Sequence, residues 1–299
     1  MPCSSAVMNL NGNHYSAPVR LGNWVEDLYL KEDELRYFKR QRDKRELLAV
    51  KTRELYDNFY KDVELDAPKM HISYDSVVQV MPASLNICDM DASEINPALS
   101  VVVNERGVHT SQTVNEDCEL TVAPSDKSLV RNSFRILRSN KIDQTSKVIR
   151  YGEHFRLQCM EPTDDPIYVY SAPKMCNLSH PINSSAVSLK NGEINLPLGL
   201  VHRSKCGIGR DVPFAFTDWF CLHVDPQSRC ESTFQPVPSN TPLILVHAST
   251  NKNMAVENIV VRTLFGPELL VSVQNYRNSY IRESWKNLWV ISNGQRKTA

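Results

Sequence analysis

Glycine is scarce in this sequence, neither sign of charge is in excess, and no long apolar run occurs. The 34 basic residues are balanced by 34 acidic ones, so no overall field attracts nucleic acid or an anionic membrane. No stretch approaches the ~20 apolar residues of a membrane span, and the polar start lacks the pattern of a secretory signal. We therefore expect neither nucleic acid nor membrane as a partner, and an electrostatic partner must be met by a local patch.

The common catalytic motifs are also missing. No glycine-rich loop ends in Lys-Ser or Lys-Thr, and the sequence has neither a nucleophile elbow nor a His-Glu pair at metalloprotease spacing. Eight cysteines without a repeated short spacing are typical of reduced thiols in an intracellular protein. The composition leaves a Cys-His nucleophile open, but nothing local favours one. We expect a protein that is not an enzyme and has no cofactor.

One set of residues merits comparison with a zinc site: His202, Cys206, Cys221 and His223. Cys221 and His223 alternate on a predicted strand, and zinc accepts mixed Cys and His ligands in a tetrahedral site. The spacing matches no common zinc module, and a thiol beside Trp219 is more simply a small core residue. We therefore predict no metal site.

The chain is predicted to have four parts. Residues 1–18 are polar and expected to be disordered, 19–66 form an N-terminal arm with a charged helix, 67–294 form a β body, and 295–299 are a tail. From about Lys31 to Tyr60 the absence of Pro and Gly and the acidic start predict one helix. Its apolar residues stand at the two ends, with Leu35 and Phe38 at one and Leu55 and Phe59 at the other.

Basic residues are concentrated on this helix at Arg36, Lys39, Arg40 and Lys44. For any single one of these residues a solvated face is the simpler interpretation. Like charges four residues apart cost stability unless a partner neutralises them, and this slightly favours docking of the cluster on an acidic protein surface. The phrase VRLGNW before the helix contributes Arg20 and Trp24. Trp24 serves either as an anchor on its own domain or as an anchor in a partner's pocket, since Trp is enriched at binding hot spots. These six residues are the predicted partner-binding set.

Three stretches of the β body open alike, each with a turn before an alternating strand. They are Tyr74–Val80, Tyr151–Leu157 and Ser239–Leu245, with Val78/Val80, Phe155/Leu157 and Leu243/Leu245 at the inward positions. A second series places one large aromatic residue on a short strand, at Phe134, Trp219 and Trp289. We expect Phe134, Phe155, Trp219 and Trp289 in the core.

Three such units predict a mainly β protein: a β-trefoil-like body of three repeated units with an N-terminal α-helical arm. Insertions are expected around residues 85–100 and 174–215, because the units are longer than a compact lobe. A generic all-β domain with chance similarity between short strands remains the alternative. A trefoil would also suit a carbohydrate- or protein-binding module in the cytoplasm, although no Trp here follows the Gln-x-Trp pattern of lectin trefoils.

Five phrases, in order from Val19 to Gly294, carry a resemblance: VRLGNWVEDLYL, RNSFRIL…VIRYGEHFRL, PVPSNTPLILVHASTNKNMAVE, TLFGPELLVSV and NLWVISNG. The chain resembles the cilia- and flagella-associated protein 161 family, and differs from its pattern mainly in 85–130 and 174–215. The resemblance implies a non-enzymatic structural microtubule inner protein of motile cilia and flagella. It implies location in the cytoplasm and cytoskeleton, in the A-tubule lumen of axonemal doublets, with tubulin and neighbouring inner proteins as partners.

Overall fold

A computed structural model describes residues 24–85, 97–104, 107–125, 127–139, 146–161, 164–172, 195–280 and 282–294, with only the backbone of Trp24 and Val25. The predicted disordered start, the tail and most of the two predicted insertions lie outside the described residues. The chain divides into two units, residues 1–51 and 52–299. Within the described part of the chain, no helix is long and apolar enough to cross a bilayer.

Two helices replace the single helix predicted over Lys31–Tyr60: α1 covers Trp24–Asp43 and α2 covers Leu48–Phe59. The break lies at Arg45, whose φ of 59° is in the left-handed region. The Arg45 N–H donates to the carbonyl of Arg42 at 3.0 Å and the Glu46 N–H to that of Gln41 at 2.9 Å. This is a Schellman motif, which usually has glycine at the left-handed position. The prediction of one helix was wrong because an arginine takes that position here.

The described residues of the second unit form thirteen strands. They are β1 (Val77–Pro82), β2 (Pro97–Val102), β3 (Glu119–Pro124), β4 (Phe134–Arg138), β5 (His154–Cys159), β6 (Ile167–Tyr170), β7 (Leu196–Pro197), β8 (Gly199–His202), β9 (Trp219–Leu222), β10 (Pro242–His247), β11 (Lys252–Thr263), β12 (Gly266–Val273) and β13 (Leu288–Ser292). A short helix, α3 (Arg229–Ser232), lies between β9 and β10.

All the strand pairings are antiparallel and belong to one sheet. Ten strands close a barrel in the order β3-β8-β6-β5-β4-β1-β13-β10-β11-β12, because β12 also pairs with β3. Strand β9 pairs with β5 and β10 and so closes a shorter circuit with β4, β1 and β13. The protein is mainly β with an N-terminal helix, as predicted. The predicted three-unit β-trefoil-like body is wrong, because the strands join edge to edge in one closed barrel instead of three separate units.

The barrel is filled by side chains from alternate positions of its strands, as expected for a small closed sheet. The end of α2 adds to this core: Leu55 and Phe59 are fully buried, and the Phe59 ring stacks on Phe265 at 5.5 Å between centroids. Phe265 lies in the turn between β11 and β12, and the Tyr56 hydroxyl donates to the neighbouring carbonyl of Leu264. These contacts fix residues 52–60 to the barrel.

Candidate partner-binding surface

Helix α1 is stabilised by its own charge pattern. Glu26 and Asp27 lie in its first turn and Arg40 and Arg42 in its last, which suits the helix dipole at both ends. The 20 residues contain neither Pro nor Gly, and most are good helix formers. These local effects favour the helix, and its large apolar side chains that the structure describes remain exposed and available to a partner.

An apolar stripe of Leu28, Leu35 and Phe38 follows one face of α1, at spacings of seven and three residues. These side chains are 52%, 52% and 50% exposed. Single exposed apolar residues are normal on protein surfaces, but a row at helical spacing is typical of an interaction surface. The sequence predicted that Leu35 and Phe38 form one apolar end of the helix. In the structure about half of each of these side chains is exposed to solvent.

The predicted basic residues differ in their local pairing. The Arg36 guanidinium is 3.4 Å from the Glu32 carboxylate and 3.3 Å from that of Asp33. By contrast, Lys39, Arg40 and Lys44 make no ion pair with any residue that the structure describes. Exposed ion pairs contribute little stability, but they do offset the local field. A cluster of positive charge without ion pairs in the described part of the chain thus lies at Lys39 and Arg40, near the carboxyl-terminal end of α1, and at Lys44, which directly follows the helix.

The remaining predicted contact residues precede this patch. Arg20 lies outside the described residues. Trp24 is the first residue of α1, and its side chain is outside the description. Both interpretations of Trp24, as an anchor on its own domain and as an anchor in a partner's pocket, therefore stay predictions.

The four predicted core aromatic residues, Phe134, Phe155, Trp219 and Trp289, are all fully buried in the barrel. Phe155 and Trp219 face each other across β5 and β9. The Trp219 indole N–H donates to the carbonyl of Val169 at 3.2 Å, and that of Trp289 to the carbonyl of Met254 at 2.9 Å. Both indoles therefore satisfy their polar atom inside the core, as a buried Trp must.

The residues compared with a zinc site do not converge. Cys206 packs with Tyr168 and Val201 in a small cluster, whereas Cys221 belongs to the main core. Burial raises the pKa of the Cys221 thiol and raises that of Cys206 to about 11, so neither is a thiolate at neutral pH. Among the described residues, no three His, Cys, Asp or Glu side chains are placed to hold a metal ion.

The chain is similar in sequence to one protein family. A family model, the cilia- and flagella-associated protein 161-like domain, matches residues 51–294. The cilia- and flagella-associated protein 161 of Bos taurus is 29% identical over 287 residues, which are 94% of this chain and 83% of that protein. The protein of the same name from Mus musculus is 27% identical over 291 residues, covering 94% of this chain and 89% of that protein.

Among solved structures, the crystal structure of the SDF2-like protein from Arabidopsis thaliana is similar at 13% identity and a TM-score of 0.45. The similarity covers 74% of this chain and 94% of the other. A likeness of this size carries no argument about function.

Proposed function

This chain belongs to the cilia- and flagella-associated protein 161-like family, and from that premise we propose that it is a non-enzymatic structural microtubule inner protein of motile cilia and flagella. The family's name associates its members with these organelles. In our proposal the protein lies in the lumen of the A-tubule of axonemal doublets. It contacts α- and β-tubulin and neighbouring inner proteins, and it supports axoneme stability and beating.

The observation that supports this role is the surface of α1. Three basic side chains have no ion-pair partner among the described residues: Lys39 and Arg40 on α1, which also carries the half-exposed apolar stripe, and Lys44 directly after its end. Charged rims give an interface its register and association rate, and apolar contacts supply most of its affinity. Tubulin presents an acidic protein surface, which such a helix matches in sign.

A chain without net charge also suits a resident of a crowded, charged lumen. The opposite charges cancel at 34 each, so attraction to an acidic wall is confined to local patches. At physiological ionic strength the field of a patch extends over a Debye length of about 8 Å. The basic end of α1 therefore acts only on a surface that it nearly touches, and this favours one docking position over general adhesion.

Reversing the charge of the α1 patch is expected to weaken retention on axonemes. The triple variant Lys39→Glu, Arg40→Glu and Lys44→Glu places acids against an acidic surface, where like charges repel. In ciliated cells that lack the endogenous protein, the measurement is the fraction of the variant that stays with demembranated axonemes after a wash at about 0.15 M ionic strength, where charges still act over about 8 Å. We expect that fraction to fall several-fold below that of the unchanged protein.

A matched control changes the total charge equally on the barrel. Arg135, Lys147 and Arg262 are exposed and make no ion pair with any described residue, so Arg135→Glu, Lys147→Glu and Arg262→Glu is the corresponding triple variant. Circular dichroism and melting establish that both triple variants are folded. Equal retention of the two variants would show that the basic residues of α1 are merely solvated and would contradict the proposed docking.

A further inference from the structure

A groove of about 600 Å³ lies beside α3, on the second unit of the protein. Its walls come from four parts of the chain: His71 in the segment before β1, Tyr151 in the turn before β5, the segment after β9 that includes α3, and the segment that leads into β10. The lining used below consists of Tyr151, His223, Glu231, Pro236, Pro238 and Pro242. The volume falls within the range of about 300–1,000 Å³ typical of ligand-binding pockets.

The Tyr151 side chain presents an unused hydrogen-bond donor to this groove. The residue is only 5% exposed, and its hydroxyl makes no hydrogen bond with any residue that the structure describes. Burial raises the pKa of Tyr151 to about 12, so the hydroxyl stays protonated and able to donate. The hydroxyl oxygen still reaches the solvent of the groove, so a ligand that accepts this hydrogen bond takes the place of a water there.

His223 supplies a second donor next to it. The His223 ring is 6.0 Å from the Tyr151 ring between centroids, in an edge-to-face arrangement. Its Nδ1 accepts a hydrogen bond from the Asp225 N–H at 3.1 Å. The Asp225 carbonyl also lies 3.4 Å from Nδ1. In the tautomer that accepts the Asp225 N–H, the proton is on Nε2, which can then donate to a ligand. The Tyr151 hydroxyl and the His223 ring thus line one groove, and together they suit a ligand rich in carbonyl oxygens.

The rest of the groove is shaped by proline rings and bears one acid. Pro236, Pro238 and Pro242 provide rigid apolar surface in the same groove. Glu231 is exposed and makes no ion pair with any described residue, so its charge is available to a basic group. Proline-rich segments in the polyproline II conformation bind grooves lined by rings, where their main-chain carbonyls point outward as acceptors.

We propose that this groove binds an extended, proline-rich segment of another protein. Carbonyl oxygens of the segment accept hydrogen bonds from the Tyr151 hydroxyl and the His223 Nε2, its proline rings pack on the rings of the groove, and a basic side chain lies beside Glu231. The inference does not rest on the ciliary role, because it uses only the second unit of the protein and the chemistry of the groove.

Titration of the purified full chain with a synthetic peptide tests the proposal. The probe is a blocked peptide of about nine residues, mostly proline with one arginine near an end, which spans about 28 Å as polyproline II. We expect saturable binding with a dissociation constant below about 1 mM by calorimetry. A peptide of the same length and charge made of glycine and serine should bind at least tenfold more weakly. Equal binding of the two peptides, or no heat from the proline peptide, would overturn the proposal without mutation of the protein.

Matched variants locate the site. Tyr151→Phe removes one donor and keeps the ring, so we expect about five- to tenfold weaker binding. Tyr168→Phe is the control, because Tyr168 is 4% exposed and belongs to a different cluster. Glu231→Gln should weaken binding of the arginine peptide and leave a peptide with alanine in its place unaffected. Equal effects of Tyr151→Phe and Tyr168→Phe would place the peptide elsewhere and overturn the assignment of this groove.

Discussion

Replacing Arg131 with methionine is expected to lower the free energy of unfolding by about 3–5 kcal/mol. Arg131 and Glu268 are only 4% and 3% exposed, and the guanidinium lies 2.6 Å from the carboxylate. Removing the arginine leaves Glu268 charged and buried without its counter-ion. Most of the expected cost comes from leaving a buried carboxylate without a counter-ion, and less of it from losing the attraction between the two groups.

The surroundings of this ion pair explain why no neighbouring group replaces the arginine. The second carboxylate oxygen of Glu268 already accepts from the Thr121 hydroxyl at 2.6 Å. The Arg131 Nε donates to the carbonyl of Val101 at 3.2 Å, and its guanidinium lies 4.0 Å from the centre of the Phe265 ring. The pair therefore connects β2, β3 and β12, and it lies next to the Phe265 ring on which Phe59 of α2 stacks.

Urea denaturation of matched variants separates a buried charge from lost packing. In the double variant Arg131→Met and Glu268→Leu no charge remains buried, so most of the lost stability should return. Arg135→Met is the control for the chemical change, because Arg135 is exposed on β4 and should lose no more than about 0.5 kcal/mol. If Arg131→Met costs less than about 1 kcal/mol, or the double variant is no more stable than the single one, the account of this pair is wrong.

Replacing Trp289 with alanine is the second large change, with an expected cost of about 3–5 kcal/mol. The Trp289 side chain is fully buried at the centre of the closed barrel, opposite Leu243 on β10. Alanine leaves a cavity that strands on all sides prevent from collapsing. The carbonyl of Met254 loses the indole N–H but keeps the Asn287 side-chain amide at 3.1 Å, so the cost is mainly one of packing.

The chain supplies a close control four residues earlier. Trp285 is only partly buried, so Trp285→Ala makes the same chemical change with an expected cost less than half as large. Trp289→Phe fills most of the space and should also cost less than alanine at that position. The midpoint and slope of urea unfolding measure all three variants. Equal losses for Trp285→Ala and Trp289→Ala would contradict the central position of Trp289.

Local alternation in the sequence was enough to predict parts of three strands, β1, β5 and β10, and the direction of their side chains. The six inward positions, Val78, Val80, Phe155, Leu157, Leu243 and Leu245, are all fully buried. The period of two in a strand assigns a face without knowledge of its neighbour. Which edges pair is a different matter, because the contact of β12 with β3 joins residues about 150 positions apart. Repeats along the sequence therefore suggested three units, whereas the pairings give one closed barrel.

The helix break at Arg45 was not predicted, because the residue at the break gives no signal in the sequence. A glycine at the left-handed position indicates the end of a helix in the sequence. Arginine adopts the same conformation at a modest cost in free energy and gives no such indication. Because good helix formers lie on both sides of Arg45, the sequence predicts one continuous helix. Only the two backbone hydrogen bonds of the Schellman motif show where α1 ends.

The candidate surface was predicted in part. The sequence placed the basic residues on one helix, whereas in the structure Lys44 directly follows the end of α1. Only side-chain geometry separates the paired Arg36 from the residues that have no ion pair within the described part of the chain. The buried pair of Arg131 and Glu268 and the groove at Tyr151 gave no sequence signal. In both cases the partners come from distant segments, and ordinary residue types occupy each position.

A map of intact axonemal doublets, from cells with and without this protein, tests the proposed role most directly. The account predicts that the difference is density the size of the barrel inside the A-tubule, with α1 against tubulin. Difference density outside the A-tubule lumen, or doublets that are identical with and without the protein, would contradict it.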